Sequence, residues 1–576
     1  MRIKHFFGLA VLAAMTASCS SNNDLVVGGG NGSGENETGV GYATLSINLP
    51  TTNGTRAAGD PDFKPGDANE YDVKDVTLLI FKEAGKSEND YTFVETADLG
   101  TMAPWVKDDG TTGITTAATI TAKLDKKVDL TSKYYALVIL NNKDKDNALK
   151  VKMPSPDQTY SKWNDAANAK NLVDNTNGFY MANAPEFTAK NTEPTTLVKI
   201  DQIYATKQAA ETNKATTIHV ERGMAKVTVA PFQTGLVPTG TKYNNDKVDI
   251  TAWNLDVTNK STFPIHKTTG LNSPFTTIWS ASEEAAPSPG RFVDGTNTAF
   301  KRVYWGVDPN YDKDYTEVSD CKNEFTLLEA NAAITGDAAT PQYCLENTFD
   351  IKHMLQGQTT RVVFKATYTP HGFNAGDTFY KIGNNTDLWS KTTLEEQIKA
   401  KAQEVLGKES ATNKVEVDLK AADNNIEENA GTKILKEANV QHNGANVAPE
   451  EIKAINEKLG LKAATETDPI VGIATYASGE SYYIARIKHF GNDLTPWNEG
   501  DLTYGDNDAK QNNKYLGRYG VLRNNWYELT VQSVSGPGTP DVPTIKPDVP
   551  DDESYRYISV SVKILDWAKR SQSVDL

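Results

Sequence analysis

The sequence predicts an all-β protein built from β-sandwiches, and three observations support this class. Apolar runs that end at turn residues recur along the chain, as in 76–81 and 134–142. Other segments, such as 118–124, alternate apolar and polar residues, which is typical of strands with one face in a core. Thr, Asn, Asp and Gly are plentiful, and these residues suit strands and turns better than helical bundles.

The first strand is predicted just before a polar loop. Leu45, Ile47 and Leu49 alternate with polar residues, and a proline ends the pattern. Arg56 lies in the loop that follows, and it is the only arginine within 3–221. The residues around Arg56 are small, so the loop is predicted to be exposed and open to proteases.

A second β-rich region is predicted from 216–232 onward. It continues through 248–265, 360–370 and 479–491, all of which carry strand patterns. Two helices interrupt this region and indicate an inserted subdomain at about 385–465.

The two helices of this insertion have recognisable ends. Thr393 and Glu396 have capping-box spacing, and Gly407 ends the first helix. Pro449 stands near the start of the second helix and Gly460 at its end. The apolar faces are Leu394, Ile398, Ala402 and Val405 in the first helix and Ile452, Ile455 and Leu459 in the second. We expect both faces to pack on a sheet.

The chain ends with an alternating strand behind a stiff linker. A strand is predicted over 523–534, and the proline-rich linker over 535–555 is expected to be extended and unable to join a central sheet. The apolar positions of the final segment, 556–576, are Ile558, Val560, Val562, Ile564, Leu565 and Trp567. This strand either folds back as an edge of its own sheet or reaches another molecule. For the second arrangement, we expect 537–550 to project the strand toward a neighbour.

The first residues indicate an export signal. A basic start precedes an apolar stretch at 6–14 that is far too short to span a membrane. The "TASC" that follows resembles a bacterial lipoprotein signal, in which 1–18 are removed and Cys19 becomes a lipid-bearing N-terminus. An ordinary secretory signal is the alternative. The Gly- and Asn-rich residues after Cys19 are expected to form a tether.

Composition and motifs argue against nucleic-acid binding and catalysis. The formal net charge is −16, and no long basic run is present to displace counterions from nucleic acid. We find no nucleophile elbow, zinc-protease motif or phosphate loop. Asp-rich loops near 144–147 and 505–513 lack the Gly and Glu of a calcium loop. His489 is interpreted as structural, and neither a cofactor nor a metal is predicted.

Two further cysteines, Cys321 and Cys344, lie in the second region. In an exported chain they could form a disulfide, and the sequence alone leaves this open. No metal-ligand spacing surrounds them.

Four stretches together resemble a known family. They are "ATLSINLPTTNGTRAAGD", "VERGMAKVTV", "LGRYGVLRNNWYELTVQSV" and the terminal "SVSVKILDWAKRSQSVDL". The chain resembles the fimbrillins of Bacteroidales, the shaft subunits of type V pili, and is most similar to the shaft subunit of the Porphyromonas-type minor (short) fimbria. The resemblance covers essentially the whole chain but is weak in the middle.

This resemblance implies a fold and a maturation route. It implies two transthyretin-like β-sandwich domains in tandem, at 57–217 and 218–534. It also implies an arginine- or lysine-specific surface protease that cuts between Arg56 and Ala57. The leading strand in 19–56 is then released, and the groove that opens is lined by the strand near 76–81.

The resemblance also implies partners. The C-terminal strand of a neighbouring copy fills the groove, so the protein polymerises with itself, and tip and anchor subunits complete the fimbrium. The lipid holds the subunit at the outer membrane before maturation, and receptors on host or bacterial surfaces are the expected targets. The predicted function is a shaft subunit for adhesion and biofilm formation. The alternative is a monomeric surface lipoprotein that binds glycan or a host protein.

Overall fold

The fold is described from a computed structural model. It covers residues 41–50, 66–99, 106–107, 114–125, 132–186, 194–268, 303, 305–465, 468–489, 516–551, 558–565 and 570–571. In these residues strands far outnumber helices, which confirms the predicted all-β class.

The elements follow in chain order. The strands are β1 Gly41–Pro50, β2 Val76–Lys82, β3 Thr92–Thr96, β4 Val106–Lys107, β5 Ile114–Leu124, β6 Tyr134–Leu140, β7 Met181–Asn183, β8 Val198–Lys199, β9 Thr216–Arg222, β10 Ala225–Val229, β11 Lys247–Asp256, β12 Thr258–Asn259, β13 Phe325–Thr326, β14 Gln342–Cys344, β15 Arg361–Thr369, β16 Phe379–Ile382, β17 Val415–Val417, β18 Gly431–Lys433, β19 Val440–His442, β20 Ala445–Asn446, β21 Ile473–Tyr476, β22 Glu480–Arg486, β23 Trp526–Val534, β24 Ile558–Leu565 and β25 Arg570–Ser571. The helices are α1 Tyr160–Trp163, α2 Lys207–Thr212, α3 Val318–Glu324, α4 Lys391–Leu406 and α5 Pro449–Lys458.

The first sheet system folds over itself at β9. Its strand order is β3-β2-β6-β7-β9-β1-β5-β4, with β8 added beside β6. The first half of β9 pairs with β1 and its second half pairs with β7. The two wings therefore face each other, and apolar side chains from β1, β5, β2 and β6 meet in one buried cluster.

A second core lies between two further sheets. One has the order β14-β10-β23-β24-β25 and the other the order β11-β15-β22. Val227 and Leu529 from the first of these sheets pack in one cluster with Val248 and Phe364 from the second. This is the arrangement expected of a sandwich.

The chain passes from the first sheet system to the second within a few residues. β9 ends at Arg222 and β10 begins at Ala225. The predicted boundary at 217/218 falls inside β9, which pairs wholly within the first system. The division into two tandem domains remains a prediction.

The two predicted helices of the insertion are present as α4 and α5. Buried residues of both helices share a cluster with Ile382 and Ile473, which belong to the sheet of order β16-β21-β18. The predicted cap of α4 is wrong, because Ser390 is the N-cap and accepts a hydrogen bond from the backbone N–H of Thr393. Gly407, with φ of 93°, ends α4 in a conformation that favours glycine.

Charged side chains are buried where the two sandwiches meet. The Nζ atom of Lys226 lies 2.6 Å from Oε1 of Glu70, and both side chains are fully buried. Tyr343 donates a hydrogen bond of 2.7 Å to the same carboxylate oxygen. Glu70 lies in the 3₁₀ helix Ala68–Glu70, whereas Lys226 is on β10. The pair therefore ties the residues just before β2 to the second sandwich.

Candidate functional site

β1 is a central strand of the first sandwich. It pairs antiparallel with β5 along its whole length and parallel with β9 from Leu45 to Asn48. The side chains of Ala43, Leu45, Ile47 and Leu49 are each 1% exposed and form part of the core. The predicted removable residues Leu45, Ile47 and Leu49 therefore complete the hydrophobic core of the first sandwich.

The strand expected to line the groove lies across the core from β1. The strand near 76–81, which is β2, pairs with β3 and β6 and does not hydrogen-bond to β1. Leu78 and Ile80 of β2 reach the same core from the opposite wing. The hydrogen-bonding neighbours that the loss of β1 would leave unpaired are β5 and β9.

The C-terminal strand lies on its own sheet in this single chain. β24 pairs antiparallel with β23, and β25 follows at the outer edge. The backbone register sets Val560 and Val562 opposite Val531 and Leu529, whose side chains are buried in the second core. This is the edge arrangement, the first of the two that the sequence left open.

The proline-rich linker is not a free arm. Over 535–551, a segment we call the strap, it packs against the second sandwich. Thr539 and Tyr482 exchange two backbone hydrogen bonds of 2.9 Å, and the Tyr476 hydroxyl donates to the Gly538 carbonyl at 2.8 Å. Val542 is 1% exposed. The strap thus belongs to the body of the second sandwich.

The end of the strap is fixed by buried charges. Nε of Arg486 donates to Oδ1 of Asp551 at 2.6 Å, and Asp551 is 2% exposed. Nη2 of Arg361 donates to the Pro543 carbonyl while its Nε bonds to Asp256 at 2.8 Å. The expectation that 537–550 projects toward a neighbour is therefore wrong for this chain conformation.

Cys321, Cys344 and His489 are all buried. Cys321 and Cys344 are free thiols in separate buried clusters, so the possible disulfide between them is not formed here. Burial raises the pKa of Cys321 to about 11 and that of Cys344 to about 12. His489 is buried, and its Nδ1 lies 2.7 Å from the Tyr527 hydroxyl.

Metal binding and membrane spanning find no support in the described part of the chain. No cluster of three or more His, Cys, Asp or Glu side chains there is arranged to hold a metal ion. No helix in the same residues is long and apolar enough to cross a bilayer.

Several predicted site residues lie outside the described residues. These are Cys19, Arg56, Ala57 and Trp567. The backbone positions of Ile558, Val560, Val562, Ile564 and Leu565 are described as β24, and their side chains are not.

The sequence reasoning missed two sets of residues. One is the outer face of β1, where Thr44 and Asn48 are as buried as core residues, at 7% exposed each. The other is the set of charged anchors, Lys226, Arg486 and Asp551. Lys226 stands at a polar position of a regularly alternating strand, so the sequence gives no signal that it is buried.

One comparison with known families bears on this site. Residues 474–573 match the model of a family described as "Major fimbrial subunit protein type IV, Fimbrillin, C-terminal". The matched stretch runs from β21 through the strap to β25. No curated protein matches the chain. The family match supports a relationship to the fimbrillins, and with it a structural role as a fimbrial subunit that assembles into cell-surface fibres.

Proposed function

We propose that this protein is a shaft subunit of a type V fimbrium that polymerises by strand exchange. The subunit is exported as a lipoprotein on Cys19 and cleaved between Arg56 and Ala57. It is then joined to other copies by 556–576, which we call the tail. The fibre serves adhesion and biofilm formation and resembles the short fimbria more than other types. The observation that carries this proposal is the core position of β1, just upstream of the isolated Arg56.

Loss of β1 has a clear physical cost. It uncovers apolar core and leaves the facing backbone groups of β5 and β9 without partners. The burial of Leu45, Ile47 and Leu49 is worth about 5–9 kcal/mol. A cleaved subunit is therefore expected to be unstable until another strand enters.

The tail has the pattern that such a strand needs. Its apolar residues alternate with period two, as those of β1 do, so it can fill the core and pair with β5 and β9. The acceptor and donor regions differ, so the contact is head-to-tail and does not close on itself. Repetition of the contact gives a filament.

The test uses surface fibres from cells that make the protein. N-terminal sequencing of purified fibres should show a chain that begins at Ala57. Arg56→Ala should leave subunits that keep residues 19–56. These subunits should be exported but unpolymerised, because β1 stays in the groove between β5 and β9. Ala57→Ser is the matched control, because it leaves Arg56 for the protease and should still be cut and assemble.

Two outcomes would count against the proposal. A fibre subunit that begins at Cys19 contradicts cleavage as the trigger. Diffuse surface label in immuno-electron microscopy, with no labelled filaments, favours the monomeric binding lipoprotein.

A further inference from the structure

The outer face of β1 is buried as well as its inner face. Thr44 and Asn48, on the side opposite the core residues, are each 7% exposed, and Ser46 between them is half-buried. In an antiparallel sandwich this outer side of a strand commonly faces water. Another part of the chain must therefore cover β1.

Helix α2 contributes to this cover. It contacts β1 and β5, and its residue Ala210 is fully buried without belonging to the core cluster, so α2 lies on the outer side. Just before α2, Tyr204 exchanges two backbone hydrogen bonds of 2.7 and 2.8 Å with Tyr42. Just after it, β9 begins at Thr216 and pairs with the same edge of β1. The chain therefore crosses over β1 between two points that hydrogen-bond to it.

The covered face is lined by small hydroxyl groups. Oγ1 of Thr44 and Oγ1 of Thr121 on β5 form a hydrogen bond of 3.1 Å. Ser46 Oγ donates to Asn48 Oδ1 at 3.4 Å. A strand in this place must therefore be narrow on its outer side, and a hydroxyl at the Thr44 position finds a partner on β5, whereas the partner of Ser46 belongs to β1 itself.

The tail repeats this chemistry. Residues 43–47 read Ala-Thr-Leu-Ser-Ile, and residues 558–562 read Ile-Ser-Val-Ser-Val. In both, apolar residues alternate with hydroxyl residues. Aligned in the same direction, Ser559 stands where β1 has Thr44, and Ser561 stands where β1 has Ser46. Lys563 then takes the place of Asn48, where its long stem can carry the ammonium toward solvent near the strand end.

We propose that the groove left by β1 selects the entering strand by the outer face of that strand, the face opposite the core. Ser559 and Ser561 are then the specificity-determining residues of the tail. The inference rests on the proposed strand exchange and adds a selection rule to it. The partner is a second copy of this chain, and a strand with bulky residues at these two positions is refused although its inner face is apolar.

The test uses peptides as competitors of wild-type assembly. The full-length protein is treated with an arginine-specific protease, and the polymer ladder is followed on a denaturing gel. A peptide of residues 556–576 should block growth. The peptide with Ser559→Leu and Ser561→Leu should reach the same inhibition only at an at least about tenfold higher concentration. This corresponds to a loss of about 1.4 kcal/mol of binding free energy. The matched control peptide carries Ser559→Thr and Ser561→Thr, which keep the hydroxyls, and should inhibit like the wild type.

A change on the acceptor side gives an independent measurement. Replacing 206–213 with a Gly/Ser linker of equal length removes the helical cover, so the leucine peptide should then inhibit nearly as well as the wild-type peptide. Equal inhibition by the leucine and wild-type peptides of the unmodified protein would overturn the selection rule alone. A chain that lacks 556–576 and still polymerises would instead overturn strand exchange itself.

Discussion

Individual charged residues reveal how the two sandwiches are held together. Lys226 sits inside a strand, and its ammonium contacts the Glu70 carboxylate and lies 3.9 Å from the centre of the Trp526 ring. Buried ion pairs of this kind are strongly destabilised when only one partner is removed. The pair therefore offers a direct test of the contact between the two sandwiches.

We expect Lys226→Met to lower the free energy of unfolding by about 3–5 kcal/mol, because it leaves Glu70 charged and buried. Adding Glu70→Gln should recover part of this loss, since a neutral amide costs less to bury than a carboxylate. Lys242→Met is the control, because its pair with Asp387 is exposed and worth under about 1 kcal/mol. Chemical denaturation measures the free energy of unfolding of all three variants. A loss for Lys226→Met no larger than that of the control would contradict a stabilising role for the Lys226–Glu70 pair.

His219 is expected to make the stability of the protein depend on pH. This residue is on β9, opposite Asn48 of β1 in the register, and burial lowers its pKa to about 4. An unfolded histidine binds a proton below about pH 6.5, so the unfolded chain gains protons first as the pH falls. The contribution of His219 to stability is therefore complete above about pH 6.5. It should fall by up to about 3 kcal/mol as the pH drops to about 4.

His219→Gln should flatten this part of the stability profile, as measured by denaturation at several pH values. His353 is the matched control, because hydrogen bonds to Asp350 and Asp314 raise its pKa. Its contribution is present below about pH 6.5 and is lost as the pH rises through the folded-state pKa. His353→Gln should therefore leave the acid-side loss of stability in place. An unchanged acid slope in His219→Gln would refute the prediction.

At the scale of elements, the sequence indicated strands better than it indicated their neighbours. The alternation at Leu45, Ile47 and Leu49 correctly predicted a strand with its apolar face in a core, and the pattern over 118–124 predicted β5. Pairing is a different problem, because β1 and β9 are far apart in sequence and no local pattern encodes their contact. The sequence therefore pointed to β2, which packs across the core from β1, and did not indicate the hydrogen-bonding neighbours β5 and β9.

Short elements also escaped sequence reasoning. Helix α2 has six residues, too few to show a helical period, so the cover over Thr44 was not foreseen. The cap of α4 was misassigned because hydroxyl residues stand at both Ser390 and Thr393, and either one fits an N-cap. The structure decides for Ser390 by the hydrogen bond that its side chain accepts.

The proposed alignment of the tail predicts a specific crosslink. Cysteines at Ser559→Cys and Thr121→Cys should bond between subunits in assembled fibres and give a ladder on a non-reducing gel, because Thr121 is the β5 partner of Thr44. The native Cys321 and Cys344 should not interfere, since burial raises the pKa of each thiol.

The control for this crosslink moves one cysteine to a distant strand. Ser559→Cys with Thr96→Cys, on exposed Thr96 at the end of β3, should give no ladder. A bond formed only within one chain in the Thr121 pair would rule out the alignment.

At the scale of the whole molecule, the strap determines which part of the chain can be exchanged. Prolines prevented it from joining a central sheet, as predicted, but its carbonyl groups still accept hydrogen bonds from tyrosine and arginine side chains. Proline content therefore suggested a projecting arm, while the packing keeps 535–551 on the body. Within 535–576 the strap is packed as far as Asp551, so the proposed exchange concerns the residues that follow it.

Two truncations separate the strap from the tail. Deletion of 556–576 should leave a folded monomer that no longer polymerises, because the strap stays packed and β23 becomes an edge strand. Deletion of 535–576 should cost more than about 5 kcal/mol of unfolding free energy relative to the shorter deletion. It removes the buried Val542 and Ile545 and takes Asp551 from Arg486. Denaturant unfolding and limited proteolysis measure the difference. If both truncated chains were equally stable, the strap would not be part of the second sandwich, and a projecting arm would again be the better description.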